Sequence, residues 1–173
     1  ANLVSSTGKK ITTDTIIDYL NYLEDTWILF PLENYVSKLA DKVSNKKFYF
    51  MDNGILSLFL MDPETSLLEN LVAVTLKKRY GDGLYFYHRN IEVDFYLDEA
   101  HKAIQVSYSL KDPETRKREV NALLKLAENV AVDDLCIITR DEEEMIVEGE
   151  KTIRVVPVWR WLQQTFTSQS AFV

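Results

Sequence analysis

The sequence has few residues of the kinds that form covalent links or reactive sites. Cys136 is its single cysteine, so no disulfide forms within the chain. Cys136 lies in the apolar run LCIIT, which predicts a buried strand residue rather than a nucleophile. One cysteine and no internal disulfide favour a reducing, cytoplasmic location.

Long apolar runs and excess positive charge are also lacking. No run is long enough to span a bilayer, and no secretory leader precedes the first predicted helix. The chain begins without methionine, so we expect a piece of a longer protein. A net charge of -7 disfavours non-specific binding to nucleic-acid phosphates.

The sequence also lacks the loops and ligand clusters that hold common cofactors. None of the five glycines is followed by Lys-Ser or Lys-Thr, so there is no phosphate-binding loop and we expect no ATP binding by this chain. The two histidines, His88 and His101, have no second ligand at zinc-site spacing, so no zinc site is predicted. No cofactor is therefore expected within the chain itself.

Residues 1–60 are predicted to form a winged helix-turn-helix domain. Thr12, Thr13 or Asp14 is expected to cap a helix that ends near Glu24 or Asp25. A strand with Pro31, predicted to be bent or at an edge, precedes a basic loop, a second strand and a short helix from Asn53 to Leu60. The basic loop is the expected wing, with the lysines Lys38, Lys42, Lys46 and Lys47.

DNA binding is the usual role of a winged helix, but the charges here disfavour it. No lysine or arginine occurs between Ile11 and Ser37, whereas reading a DNA groove requires cations. The candidate recognition helix carries acids instead, namely Asp14, Asp18, Glu24 and Asp25. We therefore expect no sequence-specific binding to duplex DNA.

Residues 61–173 are predicted to form an α/β domain. A helix that begins near Pro63 carries Glu69 on the same face as Val72, Ala73 and Leu76. A hairpin with its turn at residues 98–102 places Asp94 opposite Gln105. In its first strand Ile91, Val93, Phe95 and Leu97 are expected on one face, and Glu92, Asp94 and Tyr96 on the other. Glu69, Asp94 and Gln105 are then expected close together.

This order of acids resembles the layout of PD-(D/E)xK nucleases, in which a helix Glu, a strand Asp and the Glu of ExK hold Mg²⁺. Glu69 and Asp94 match the first two positions, whereas Gln105 and Ser107 stand where ExK would place its acid and its lysine. Because an amide is a poorer ligand and Ser107 carries no cation, the resemblance implies a degenerate site without catalysis or bound metal. Asp94 is then expected in a structural hydrogen bond or in an ion pair with Arg89 or Lys102.

A second resemblance covers residues 7–162. The segments TTDTIIDYLNYLEDTWILFPLENY, KFYFMDNGILSLFL, LLENLVAVTLKKR and the central hairpin follow one another as in the C-terminal region of prokaryotic AAA-type ATPases. The resemblance implies a winged helix, a restriction-endonuclease-like domain with an eroded motif, and ATP and Mg²⁺ bound by an upstream domain. The implied partners are the parent ATPase domain and an unknown protein.

Three functions therefore stay open. The first is a non-catalytic interaction or regulatory region. The second is a metal-dependent nuclease in which Glu92 or Glu99 replaces the missing acid and Lys102 the missing lysine. The third is nucleic-acid binding without cleavage, through the wing lysines and Lys77, Lys78 and Arg79. The first is the function that the sequence favours.

Overall fold

The computed structural model describes residues 12–36, 46–61 and 64–167. The predicted wing lysines Lys38 and Lys42, Pro63 at the expected start of a helix, and the C-terminal residues 168–173 lie outside that part of the chain. The helices are α1 (Thr13–Asp25), α2 (Asn53–Ser57), α3 (Glu64–Tyr80), α4 (Pro113–Ala127) and α5 (Val158–Thr167). The strands are β1 (Leu29–Asn34), β2 (Lys46–Phe50), β3 (Leu84–His88), β4 (Glu92–Leu97), β5 (Lys102–Val106), β6 (Asp134–Thr139), β7 (Glu144–Glu148) and β8 (Lys151–Pro157).

The eight strands found among the described residues form one mixed sheet, which confirms the predicted α/β class. The strand order is β2-β1-β3-β4-β5-β6-β8-β7. The pairs β1–β3, β5–β6 and β6–β8 are parallel, and the other neighbours are antiparallel. Since β1 pairs with both β2 and β3, the predicted boundary after residue 60 falls within a continuous sheet.

Helices cover the sheet on both faces. Leu68, Val72, Ala73 and Leu76 of α3, together with Trp161 of α5, pack on one face. Val120, Leu123 and Leu126 of α4 pack on the other face, which makes three layers. Cys136 is buried in β6 as predicted, and burial raises the pKa of its thiol to about 11. Within the described residues no helix is long and apolar enough to cross a bilayer.

Side-chain caps fix the starts of two helices, α1 and α4. Thr12 caps α1, since its hydroxyl accepts a hydrogen bond from the Thr15 N–H (3.3 Å). Asp112 caps α4 by accepting from the Thr115 N–H (2.8 Å), and Pro113 occupies the first helical position, where a missing N–H costs nothing. The cap of α1 is one of the three residues predicted for it.

The strand with Pro31 was predicted to be bent or at an edge of the sheet, and the edge alternative is wrong. Pro31 lies in β1, which has β2 on one side and β3 on the other. However, β3 pairs only with Glu33 and Asn34, so Pro31 lies in the part of β1 that pairs with β2 alone. A proline is compatible with that half of the strand because no β3 partner there requires its missing N–H.

Asn34 extends the short ladder between β1 and β3. It is 2% exposed, its Nδ2 donates to the His88 carbonyl (2.7 Å), and its Oδ1 accepts from the His88 N–H (3.0 Å). Asn70 of α3 binds β2 similarly, through the N–H (2.8 Å) and carbonyl (2.9 Å) of Phe50. Two buried asparagines therefore attach the N-terminal hairpin to the rest of the molecule.

We expect Asn34→Ala to lower the free energy of unfolding by about 2 kcal/mol, because it leaves the backbone N–H and carbonyl of His88 without these partners. Urea denaturation followed by circular dichroism measures this loss. The exposed Asn129→Ala is the matched control, and its cost should stay below about 1 kcal/mol. Equal costs for the two variants would contradict the bridging role of Asn34.

Candidate functional site

A cleft opens where the ladder between β4 and β5 ends. The last backbone pair on that side is Phe95 with Ile104. Beyond it, the Asp94 N–H donates to Gln105 Oε1 (2.7 Å), and the Val106 N–H donates to Asp94 Oδ2 (2.9 Å). The side chains of Gln105 and Asp94 therefore accept hydrogen bonds from backbone N–H groups that would otherwise be left without a partner where the ladder ends. The predicted placement of Asp94 opposite Gln105 is confirmed.

The predicted alternation along β4 holds for Phe95, Tyr96 and Leu97 but is wrong for Val93, because the strand is irregular between them. The pairing with β3 shifts register between Tyr85 and Tyr87. As a result Val93 packs on the α4 face of the sheet, whereas Phe95 and Leu97 pack on the α3 face. A bulge changes which face each following side chain takes, and periodicity alone does not show where it occurs. In β5 the predicted alternation holds, with Ile104 and Val106 on the α3 face and Ala103 on the α4 face.

Asp94 is the most perturbed carboxyl group of the cleft. Its side chain is 16% exposed. Burial and the nearby charge of Glu69 raise its pKa to about 7, against the opposing effects of Lys47 and the Val106 N–H. A substantial fraction of Asp94 is therefore protonated at neutral pH.

Lys47 supplies the cation that the sequence did not place here. Its Nζ contacts Glu92 and lies 3.6 Å from Asp94 Oδ1. Burial opposes its charge, but Asp94 and Glu92 raise the pKa of Lys47 above the usual value. The predicted placement of Lys46 and Lys47 in the basic loop is wrong, because both belong to β2. Arg89 and Lys102 were the expected ion-pair partners of Asp94. The cation beside Asp94 is Lys47 instead, and Lys102 pairs with Asp134 (2.9 Å).

Glu69 reaches the cleft from α3. The Tyr49 hydroxyl donates to Glu69 Oε1 (2.8 Å). Burial, and then the charge of Glu69, raises the pKa of Tyr49 well above its ordinary value. The structure thus brings Glu69, Asp94 and Gln105 to one cleft, as expected, with a neutral tyrosine as the donor to Glu69.

Glu119 of α4 is the buried acid that sequence reasoning missed. It is 5% exposed, Gln105 Nε2 donates to its Oε2 (2.6 Å), and Arg118 Nη2 donates to its Oε1 (2.6 Å). Its spacing from Leu123 and Leu126 places it on the apolar stripe of α4, the same signal that singled out Glu69 on α3. The spacing of apolar residues along α4 would therefore have been sufficient to identify Glu119 from the sequence.

The cleft has a volume of about 580 Å³, and charged side chains of both signs line it. Its acids are Glu69, Glu92, Asp94 and Glu119, and its cations include Arg118 and Lys125. Across the described ranges, no three or more Asp, Glu, His or Cys side chains are arranged to hold one metal ion. Ser107 is buried, and its hydroxyl donates to the Ser109 carbonyl (3.0 Å).

The other predicted site residues lie elsewhere. Glu99 lies in the turn between β4 and β5 and borders a separate cavity. His88 lies 3.4 Å from Glu92, and His101 lies 3.1 Å from Asp133. Lys77 pairs with Asp82 (2.9 Å), and Arg79 donates to the Thr165 carbonyl (2.6 Å). These basic residues at the end of α3 therefore already have partners within the chain.

Comparison with known proteins finds similarity without a described activity. Residues 2–66 match the family described as "Domain of unknown function (DUF8612)". The chain is 32% identical over 173 residues to the uncharacterized protein MJ1544 of Methanocaldococcus jannaschii, with 93% of this chain covered. The chain spans 39% of the length of that curated relative. No solved structure matches significantly.

Proposed function

We propose that this chain is a non-catalytic interaction and regulatory region of a longer prokaryotic ATP-binding protein of the AAA type. Residues 1–60 would form its winged-helix part, and residues 61–173 a nuclease-like α/β part with a degenerate site. The observation that carries the proposal is that protein donors hold the acids of the cleft. The chain itself is proposed not to be an enzyme.

Those protein contacts involve carboxylate oxygens that a metal would also need. Asp94 accepts from the Val106 N–H and faces Lys47, Glu119 accepts from Gln105 and Arg118, and Glu69 accepts from Tyr49. Mg²⁺ gives up its own water only for well-placed anionic oxygens. A metal would have to compete with protein donors for these acids, so a structural role requires fewer rearrangements than metal binding.

The longer protein in the proposal has two supports. The curated relative extends well beyond the aligned region, since the chain spans 39% of it. The order of segments resembles the C-terminal region of AAA-type ATPases, as described above. ATP and Mg²⁺ would bind in an upstream domain, because this sequence has no phosphate-binding loop. That domain and a further protein are the proposed partners, and neither nucleic acid nor membrane is favoured.

We expect the purified chain to leave single- and double-stranded DNA and RNA intact, in Mg²⁺ and in Mn²⁺. The physical reason is that Gln105 provides no negative charge for a metal, and the acids around it are already bound by protein groups. Gel electrophoresis after long incubation measures cleavage. Cleavage that is lost in Asp94→Ala but kept in the exposed control Asp141→Ala would contradict the proposal.

A metal-dependent nuclease with relocated residues is the second candidate, and one observation favours it. Lys47 and Glu119 bring a cation and a carboxylate beside Asp94 and Gln105, where the ExK pattern lacks both. Glu99 and Lys102, the replacements expected from sequence, lie elsewhere, whereas Glu92 borders the cleft. Calorimetric Mn²⁺ binding that requires both Asp94 and Glu119 would favour this candidate over the first.

A further inference from the structure

The outer face of α1 exposes aromatic side chains. No residue of α1 is buried, and Tyr19 and Tyr22 are 59% and 65% exposed. Large exposed aromatic groups on a helix are typical of surfaces that bind a partner, because they bury much area with few rotatable bonds. Packing among the described residues leaves these two tyrosines uncovered.

Acidic side chains lie along the same face. Asp14, Asp18 and Tyr22 follow one another at four-residue intervals, and Asp25 is three residues further, so all four share one stripe of the helix. The three aspartates are exposed, and the sequence has no lysine or arginine from Ile11 to Ser37. The stripe is therefore both aromatic and uniformly negative.

Trp27 follows α1 in a backbone conformation that large side chains rarely adopt. Its φ is 59°, in the left-handed region, and hydrogen bonds from Trp27 N to the Glu24 carbonyl (2.9 Å) and from Ile28 N to the Leu23 carbonyl (2.9 Å) close the helix. Glycine usually occupies this position. The Trp27 side chain is 77% exposed, so burial within the chain does not compensate for the strain.

Beside Trp27 a groove of about 750 Å³ continues the negative surface. Glu24, Asp25, Glu33 and Asp82 line it, together with Pro31 and Tyr85. Its basic residues are Lys46 and Lys77, and Lys77 already pairs with Asp82 (2.9 Å). Carboxylates next to an exposed indole are the groups that bind lysine and arginine, by ion pairs and by cation–π contacts.

We infer that the outer face of α1 and the groove beside Trp27 form a docking surface for a lysine- and arginine-rich protein segment. The inference rests on the proposed interaction role and names the chemistry of its partner. A second copy of the chain fits poorly, since a twofold interface through this face would oppose the same aspartates. Nucleic acid is repelled by the same charges.

Fluorescence anisotropy with a labelled arginine–serine repeat peptide tests the surface, with a glutamine–serine repeat as the uncharged probe. Asp14→Asn/Asp18→Asn/Asp25→Asn should weaken arginine-peptide binding by about tenfold or more. The control Glu128→Gln/Asp141→Asn/Glu150→Gln makes the same change in net charge at exposed positions elsewhere. It should change the affinity by less than about threefold.

Trp27→Gly separates binding from folding. Glycine relieves the left-handed backbone, so we expect the midpoint of thermal unfolding to rise while the affinity for the arginine peptide falls about tenfold. Equal weakening by the two triple variants, or unchanged binding in Trp27→Gly, overturns the inference. So does a dimer, detected by sedimentation, that the α1 triple variant dissociates.

The outcome is distinguishable from failure of the proposed function. If the arginine peptide does not bind at this surface and no cleavage of nucleic acid is found, only the assignment of a basic partner is rejected. Cleavage of nucleic acid that depends on Asp94 rejects the proposed non-catalytic role, whether or not the arginine peptide binds.

Discussion

Gln105→Glu is expected to destabilise the chain by about 3–5 kcal/mol at neutral pH, the range found when a buried charge loses its partner. Gln105 Nε2 now donates to Glu119 Oε2 at 2.6 Å, and both side chains are 5% exposed. A glutamate at position 105 would place a second carboxylate against Glu119 in a buried setting. Urea denaturation at neutral and acidic pH measures the effect, which should shrink at low pH as one acid takes up a proton.

The exchanged pair provides the decisive control. Gln105→Glu combined with Glu119→Gln again places an amide opposite a carboxylate, so most of the lost stability should return. Gln163→Glu on the exposed side of α5 makes the same change without a buried neighbour and should cost less than about 0.5 kcal/mol. Failure of the exchange to restore stability would show that Glu119 is not the reason why position 105 requires an amide.

The pH dependence of stability should differ between the unaltered chain and Asp94→Asn. The Asp94 pKa of the folded chain is raised from 3.8 to about 7 by burial and by Glu69. Between these two pH values the folded chain keeps a proton that the unfolded chain has released. The free energy of unfolding of the unaltered chain, relative to Asp94→Asn, should therefore fall as the pH rises through that interval, by on the order of 2–4 kcal/mol.

The free energy of unfolding must be compared between the unaltered chain and Asp94→Asn, because other acids change stability with pH in the opposite direction. The pKa of Asp134 is lowered by Lys102 and Arg154, despite burial, so its contribution to stability is lost in acid. Chemical denaturation of both chains at a series of pH values, with Asp141→Asn as an exposed control, isolates Asp94. A difference curve with no slope would contradict the raised pKa.

Local chemistry predicted the elements whose signals are close together in sequence. The predicted cap Thr12 marks the start of α1, and the turn after β4 fixes Asp94 opposite Gln105. Each of these features depends on residues within one helix or one hairpin.

The parts of the site that were missed depend on contacts between distant segments. Lys47 reaches Asp94 only because β2 and β1 join the edge of β3, and the alternation within β2 does not say where that strand will lie. The reversal of Val93 relative to Phe95 requires an irregularity that has no composition signal in β4. Glu119 was also missed, but for a different reason, since helical spacing alone is enough to place it on the buried face of α4.

The short ladder between β1 and β3 has a mechanical consequence. Two residue pairs, Glu33 with Tyr85 and Asn34 with Phe86, join those strands, whereas five pairs join β5 to β6. A load applied at α1 passes into β1, whose pairing with β3 has the fewest residue pairs of any strand pairing in the described sheet. The N-terminal hairpin would peel away there first, and Lys47 would leave Asp94 with it. The cleft would then lose its nearest cation while the strands from β3 to β8 stayed paired, so tension at one end of the molecule would change the charge at its centre.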